Sequence, residues 1–550
     1  MNLQTAMRDI RKHANSWMVI SITGAAVLML PIFYVFISLF QRPNKNWQQI
    51  KQFLIKDYML HSLSLVFFTV LLSVVIGVLL AWLVAAYDFP LKRLFRWALV
   101  LPLAIPPYIA AYTYANMLSY TGVVQKTLRT QFGVTLDQSY FDVMSLRGAV
   151  FIFTMFLFPY VYLITRSFLE RQSASYIENA RLLGKGGVAI FFRVVLPISR
   201  PAVIGGVTLV IFEVLSDYGV TSYFGIHTIS TAIFQTWFGM YDVESAMRLA
   251  AWLMIGIIVV FIFERLLRRN RMFSSSTSKM RPIVPKRLQG PAAAAVLLLC
   301  VAVFSCSFVI PTLQIIVWAG MTYKEVLTPK FLELTLNTLK VALIATIIIM
   351  TLSVVVANVA RVRRSGFSFI ISKCATAGYS IPGAIIAIGV LAVCIHLDHL
   401  FAPVYQQMGL GKSPLIISLS LAMAVAGYVI RFMAVGYNAV EAGFEKIGSK
   451  YAEASRTLGH GVTGTFFKVD LPMIKGSIIT GFILTFVEII KELPITLLLR
   501  PFNFETLATR AYQYASDEQI IEASVPSLFI IAISLISVLI FHQLGKKLES

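Results

Sequence analysis

Four carboxylates stand in stretches otherwise apolar enough to cross a membrane: Glu213 and Asp217, then Glu488 and Glu492. Each pair is spaced i, i+4, which on a helix puts both side chains on one face. Matched members lie 275 residues apart, half of the 550-residue chain. A charge inside a bilayer is costly and as a rule marks a substrate or ion pathway. Carboxylate oxygens suit hard cations, whereas an anion route calls for arginine or lysine. The pattern predicts that the two helices face each other across an axis and that the four acids line a central cation path. Glu213 and Glu488 are the expected transient metal ligands, and both pairs should begin about halfway along their spans. Lys491, next to Glu492, supports a competing reading in which part of the cluster is a structural ion pair.

The elements that must hold these acids follow from composition. Hydrophobic residues make up 58% of the chain, charged ones 13%, and the mean hydropathy is +0.78. So few charges do not cover the surface of a soluble protein this long, so the chain is read as an all-α, multi-span membrane protein. The net charge of +21 does not imply nucleic acid. The basic excess falls in the segments assigned to one face, as the positive-inside rule expects. Cys300, Cys306, Cys374 and Cys394 lie in or beside apolar stretches, without CxxC spacing, and read as small buried hydrophobes.

Twelve spans are predicted. In the first half they fall at 17–40, 61–87, 97–120, 148–166, 202–224 and 246–263. The first is too long for a signal-peptide core and is read as an uncleaved span, preceded by a basic segment with Arg8, Arg11 and Lys12. The third contains Pro102, Pro106 and Pro107, which free backbone carbonyls that must be buried in protein or face water, so it should be interior. A basic, Ser- and Pro-containing linker follows, and the boundary between halves is placed at Ser276, giving units 1–275 and 276–550. Second-half spans are predicted at 292–320, 337–360, 375–396, 413–435, 476–499 and 525–542. Six spans per half is even, so both halves share one orientation, related by an axis along the membrane normal, with both chain ends cytoplasmic.

The strongest internal repeat lies between spans. Tyr176–Gly206 and Tyr451–Gly481 align at the same 275-residue offset, with 10 of 20 positions identical from Glu178 to Pro197. The chain is therefore two fused copies of one unit. Each copy reads as a short polar helix, a glycine turn at Gly184 or Gly459, a second helix with a Phe-Phe apolar face, and a Leu-Pro that stops the helix before the next span.

This segment resembles the EAA loop of the permeases of bacterial ABC importers. The matching residues are Glu178, Ala180, Gly184, Leu196 and Pro197 in one copy and Glu453, Ala454, Gly459, Leu471 and Pro472 in the other. Both copies depart mildly at the small residues. The resemblance implies a type I importer permease in which each loop forms a coupling helix seated in a cytoplasmic ATPase subunit. Glu213-Val-Leu-Ser-Asp-Tyr-Gly, Lys491-Glu-Leu-Pro-Ile-Thr and LPLAIPPYIAAYTY in the third span are similar to ferric-iron importers. That implies two ATPase subunits, a periplasmic binding protein and Fe(III) as cargo, in the bacterial inner membrane. Relatives that handle thiamine, phosphonates, sulfate or polyamines share the loop. ATP and magnesium are expected on the partner subunits and no cofactor on this chain. Its nearest phosphate-loop decoy, Gly411-Lys412-Ser413, has Gln406 where glycine is required.

Two other classes compete. An ion-gradient-driven carrier also has two six-span halves and intramembrane acids, but has no use for a repeated coupling loop. A membrane-embedded enzyme would need a catalytic constellation, and His61, His396 and His399 do not form a ligand set.

Overall fold

The computed structural model describes residues 16–171, 175–269, 285–362, 365–409, 415–418 and 420–549. The basic segment at Arg8–Lys12, the half boundary at Ser276 and the Gly411-Lys412-Ser413 decoy lie outside the described residues. Where the chain is described it is helical, apart from two short strands, Tyr87–Asp88 and Lys286–Arg287, which pair in parallel. Lipid offers backbone groups no hydrogen bonds, so apolar runs of this length satisfy themselves as helices. Eleven described helices are long and apolar enough to cross a membrane, and one sharply bent pair makes a twelfth.

The first half begins with α1 (Ser16–Ile37) and α2 (Ile55–Ala86). The bent pair is built on α3 (Lys92–Ala98) and α4 (Pro107–Leu118), with α5 (Val123–Gln131) beyond it. Then come α6 (Leu146–Arg171), α7 (Ser175–Leu182) and α8 (Leu196–Ser216). Two short helices, α9 (Gly219–Tyr223) and α10 (Ile229–Phe234), lead to α11 (Val243–Arg269).

The second half opens with α12 (Gly290–Phe304) and α13 (Ile310–Val326), joined through a π-turn, followed by α14 (Pro329–Val362). Then come α15 (Gly366–Thr376) and, after a short turn, α16 (Gly383–Gln407). Next are α17 (Leu421–Ile447), α18 (Lys450–Thr457) and α19 (Leu471–Lys491). The chain closes through α20 (Pro494–Leu499), α21 (Leu507–Ser516) and α22 (Ile520–Glu549).

The same three helices form the packed heart of each half: α2, α6 and α8 in one, and α14, α17 and α19 in the other. Membrane helices gain from close approach more than from burial, so small residues sit at the crossings. A Cβ at Gly206 would lie 2.7 Å from the Val161 Cα, and one at the equivalent Gly481 would lie 2.9 Å from the Ala439 Cβ. The outer faces of α1 and α2 carry exposed Val27, Phe33, Phe67 and Val75, a lipid-facing surface.

The first span of each half packs on the other half. α1 lies on α14, α15 and α16. At its start Trp17 donates from Nε1 to Thr463 Oγ1 at 3.1 Å, with its ring 4.8 Å from that of Phe466. In return, Cys300 and Val303 of α12 share an apolar cluster with Leu80, Phe95, Phe158 and Tyr162. All four cysteines are free thiols, with Cys300 and Cys394 buried, in keeping with the small-hydrophobe reading.

Several sequence expectations need correction. The third span is not one rod. It breaks by 90° between Lys92–Ala104 and Pro107–Gln131, because the prolines remove the N–H groups a continuous helix would use there. It is interior as expected, with Tyr108, Ile109, Ala110, Ala111 and Tyr112 all buried. Pro197 and Pro472 do not stop their helices. A π-turn precedes each one (Phe191–Val195 and Phe466–Asp470), and the proline falls in the first turn of α8 or α19, where a missing N–H is tolerated. The tenth span begins at Leu421 rather than Ser413. The fifth and eleventh end early, at Ser216 and Lys491 instead of 224 and 499.

Candidate functional site

The early ends of α8 and α19 define the site. Asp217 and Glu492 both leave helical geometry, with φ/ψ of −71°/134° and −69°/121°. Each then serves the next short helix. Asp217 Oδ1 accepts from the backbone N–H of Val220 at 2.9 Å and of Thr221 at 3.3 Å. Glu492 Oε1 accepts from that of Ile495 at 3.1 Å. The N-terminal N–H groups of a helix have no partner within it, and an acid beside them supplies one.

The i, i+4 expectation is thus half met. Glu213 and Glu488 are on helix, in the last turn rather than halfway along, while Asp217 and Glu492 sit one residue past the end. Removing either cap, as Asp217→Ala or Glu492→Ala, is expected to cost about 1 kcal/mol. A lowered unfolding midpoint of the detergent-purified protein is the check.

All four acids nevertheless line one central cavity of about 110 Å³, together with Pro106, Pro107, Tyr108, Phe156 and Tyr160. Both halves contribute to its wall, and so does the 90° bend of the third span, whose freed backbone thereby faces a cavity.

The acids differ in how they are engaged. Lys491 Nζ lies 2.8 Å from Glu488 Oε1, so the ion-pair reading holds for Glu488, three residues back on α19, and not for the adjacent Glu492. Glu213 makes no hydrogen bond or ion pair among the described residues, and the charge that bears on it most is Arg431. Among the described residues no three His, Cys, Asp or Glu side chains gather as a metal set. The four carboxylates line the cavity wall.

Arg431 of α17 is absent from the sequence expectation. It is buried in the cavity wall, and one Nη1 donates to the carbonyls of Tyr379 (3.2 Å) and Ile381, beside Pro382 at the break before α16. Among the described residues its Nε has no hydrogen-bond partner. A lone arginine in the apolar run LAMAVAGYVIRFMAV is itself a signal under the rule that intramembrane charges are functional. A search for charges repeated at 275 residues passes over it, because the equivalent position holds Phe156.

The second candidate site is the repeated segment. In each copy a short helix, α7 or α18, ends at a glycine in the left-handed region, Gly184 at φ +72° and Gly459 at φ +88°. The bonds of a helix stop close the turn: Lys185 N–H donates to the Ala180 carbonyl at 3.1 Å, and His460 N–H to that of Ser455 at 3.2 Å. Glu178 and Glu453 are exposed, as are Leu183 (77%) and Leu458 (81%). Of each Phe-Phe pair one ring turns inward: Phe191 packs on Trp82 and Phe466 on Trp17, while Phe192 and Phe467 stay exposed. The small residue that seats each helix is Ala180 in the first copy and Ser455 in the second. Ala454, the sequence candidate, faces outward. Leu196 and Leu471 are half-buried, and Pro197 and Pro472 are exposed or nearly so at the start of α8 and α19.

A family profile described as "Binding-protein-dependent transport system inner membrane component" matches this chain twice, at residues 73–272 and 349–550. Among individual proteins, the chain is 23% identical over 480 residues to the Fe(3+)-transport system permease protein FbpB 2 of Haemophilus influenzae, covering 86% of this chain and 87% of that one. Part of it is similar to the molybdenum transport system permease protein ModB of Escherichia coli, 32% identical over 160 residues, 29% of this chain and 67% of that protein. Part is similar to the sulfate transport system permease protein CysW of Escherichia coli, 30% over 214 residues, 38% and 70% of the two.

Proposed function

Since this chain belongs to the binding-protein-dependent inner membrane transport components, as a multi-pass permease with both copies of the unit fused, we propose that it is the permease of an ATP-driven importer of Fe(III). The repeated exposed segment carries this reading. Two helix–glycine–helix modules, at equivalent places and with equivalent outward leucine and phenylalanine side chains, suit two identical partners. Those partners are cytoplasmic ATPase subunits, which hold the ATP and magnesium; this chain holds neither and hydrolyses nothing. The face bearing the two segments, and with it both chain ends, is cytoplasmic. A periplasmic binding protein delivers cargo to the opposite face.

The mechanism is alternating access. ATP binding draws α7 and α18 together, and α8 and α19, which follow them across the glycine turns and the π-turns, carry that motion to the acids at their far ends. The central cavity then opens outward to accept cargo, and hydrolysis returns it inward. Glu213 supplies the unpaired carboxylate and Glu488 a second one that must exchange Lys491 for the passing ion. Contact with metal is transient, in keeping with the lack of a three-ligand set among the described residues. Asp217 and Glu492 hold the helix breaks that keep the wall in place.

One observation favours a second cargo class. Arg431 and Lys491 put two cations in the cavity wall, the residue types an oxyanion requires. Uptake by a deletion strain carrying this chain, compared across labelled ferric iron, molybdate, sulfate, thiamine and phosphonate, separates the readings. Accumulation of iron alone is the expected result; saturable molybdate or sulfate uptake without iron uptake transfers the assignment to oxyanions.

A further inference from the structure

The two ATPase-facing segments rest on the same repeat-related positions, filled by different chemistry. Under the first, Ala85, Leu169, Ala180, Ile190 and Val195 form a small apolar cluster with Trp82, separate from the main core. The equivalent positions, 276 residues on in the second span and 275 on in the rest, hold Arg361, Phe444, Ser455, Thr465 and Asp470.

The polar set is fully paired. Arg361 Nη1 donates to Asp470 Oδ1 at 2.8 Å, and Nη2 engages the other carboxylate oxygen, a two-point contact. The guanidinium also lies 4.4 Å from the centroid of the Phe444 ring. Ser455 and Thr465 join through their hydroxyls at 3.0 Å. Asp470 is 1% exposed. A buried ion pair contributes little net stability against a packed apolar pair, but a single buried charge left alone is strongly unfavourable. Arginine and aspartate here are therefore a matched unit, as are alanine and valine at the equivalent positions.

The place of this contact in the fold matters. Ala85 and Arg361 lie one residue from the ends of the second and eighth spans; Val195 and Asp470 close the π-turns that lead into α8 and α19. Each contact fastens the segment to a helix of the packed heart of its half, one step before the helix that reaches the cavity.

We propose that this contact is the joint through which each segment moves its spans, and that its two chemistries are interchangeable: apolar in the first half, charged in the second. Arg361 and Asp470 are positioning residues for transport, and this rests on the coupling role assigned to the segments above.

The experiment is a double-mutant cycle in the assembled importer, co-expressed with its ATPase subunits and binding protein in vesicles. Cargo moved per ATP hydrolysed is measured for Arg361→Ala, Asp470→Val and both together, the last recreating the first-half pair. Each single variant is expected to lower that ratio at least tenfold, and the double to recover to within twofold of the parent. If a single variant fails to accumulate in the membrane, the double still decides, since it leaves no charge unpaired. Singles that couple normally, or a double no better than the worse single while the ATPase subunits still co-purify, overturn the joint. Failure of any ATPase subunit to co-purify with the unaltered chain overturns the coupling role and the joint together.

Discussion

Gly184→Pro combined with Gly459→Pro abolishes uptake while the chain remains inserted and the ATPase subunits go on hydrolysing ATP: this is the largest effect expected from any change outside the cavity. Both glycines hold φ in the left-handed region, +72° and +88°. Proline fixes φ near −65°, so the turn cannot form with it in place. Crowding is not the cause, because a Cβ at either position would meet nothing within 4 Å. The effect should therefore grade with backbone preference. Asparagine, which tolerates the left-handed region, should be nearly silent. Alanine should be intermediate, since that conformation costs an ordinary residue about 1–2 kcal/mol. Uptake and ATP hydrolysis measured side by side in vesicles test the series. Normal uptake by the double proline variant rules out the segments as the drive.

Glu213→Gln with Glu488→Gln is expected to reduce iron uptake at least a hundredfold without weakening ATPase assembly. The two amides keep the size of the side chains and remove two formal charges from the cavity wall. Glu213 should carry more of the loss, because no ion pair occupies it among the described residues, whereas Lys491 already holds Glu488 at 2.8 Å. Asp217→Asn with Glu492→Gln provides the contrast. An amide oxygen still accepts the backbone N–H of a cap, so this pair should lose several-fold rather than a hundredfold. Labelled-iron uptake normalised to ATPase subunits co-purified with each variant distinguishes them. The reverse ranking, with the caps essential and Glu213 and Glu488 dispensable, would falsify the carboxylate path.

Much of this organisation is legible in the residues because duplication writes it twice. The 275-residue offset that pairs Gly184 with Gly459 also pairs the helix ends at Ser216 and Lys491, and the structure repeats both turns and both breaks. Hydropathy alone runs through the breaks as continuous spans. Tyr218-Gly219-Val220 and Leu493-Pro494-Ile495 are still apolar, so hydropathy runs on where hydrogen bonding stops. Only the capping acids mark the place, and in an apolar run an acid reads more readily as a path residue than as a cap. Prolines mislead in the opposite sense at 197 and 472, because a π-turn lets the helix continue. What escapes a search for symmetry is whatever the halves do not share. Arg431 against Phe156, and the charged joint against the apolar one, are such differences.

The exchange of first spans between the halves also sets an order of events. α1 leaves the ribosome early, but Trp17 finds its partner Thr463 446 residues further along the chain. At synthesis rates of ~5–20 residues per second, that separation corresponds to roughly 20–90 s. Throughout that interval the face of α1 that carries Trp17 and Pro31 lacks its second-half partners. The helix meets this demand by composition: from Ser16 to Ile37 its sequence carries no charged residue on any face. Closure of the second half over α1 is thus a late step of assembly. Truncation before Gly389, where a Cβ would lie 2.7 Å from the Pro31 carbonyl, leaves α1 without its seat.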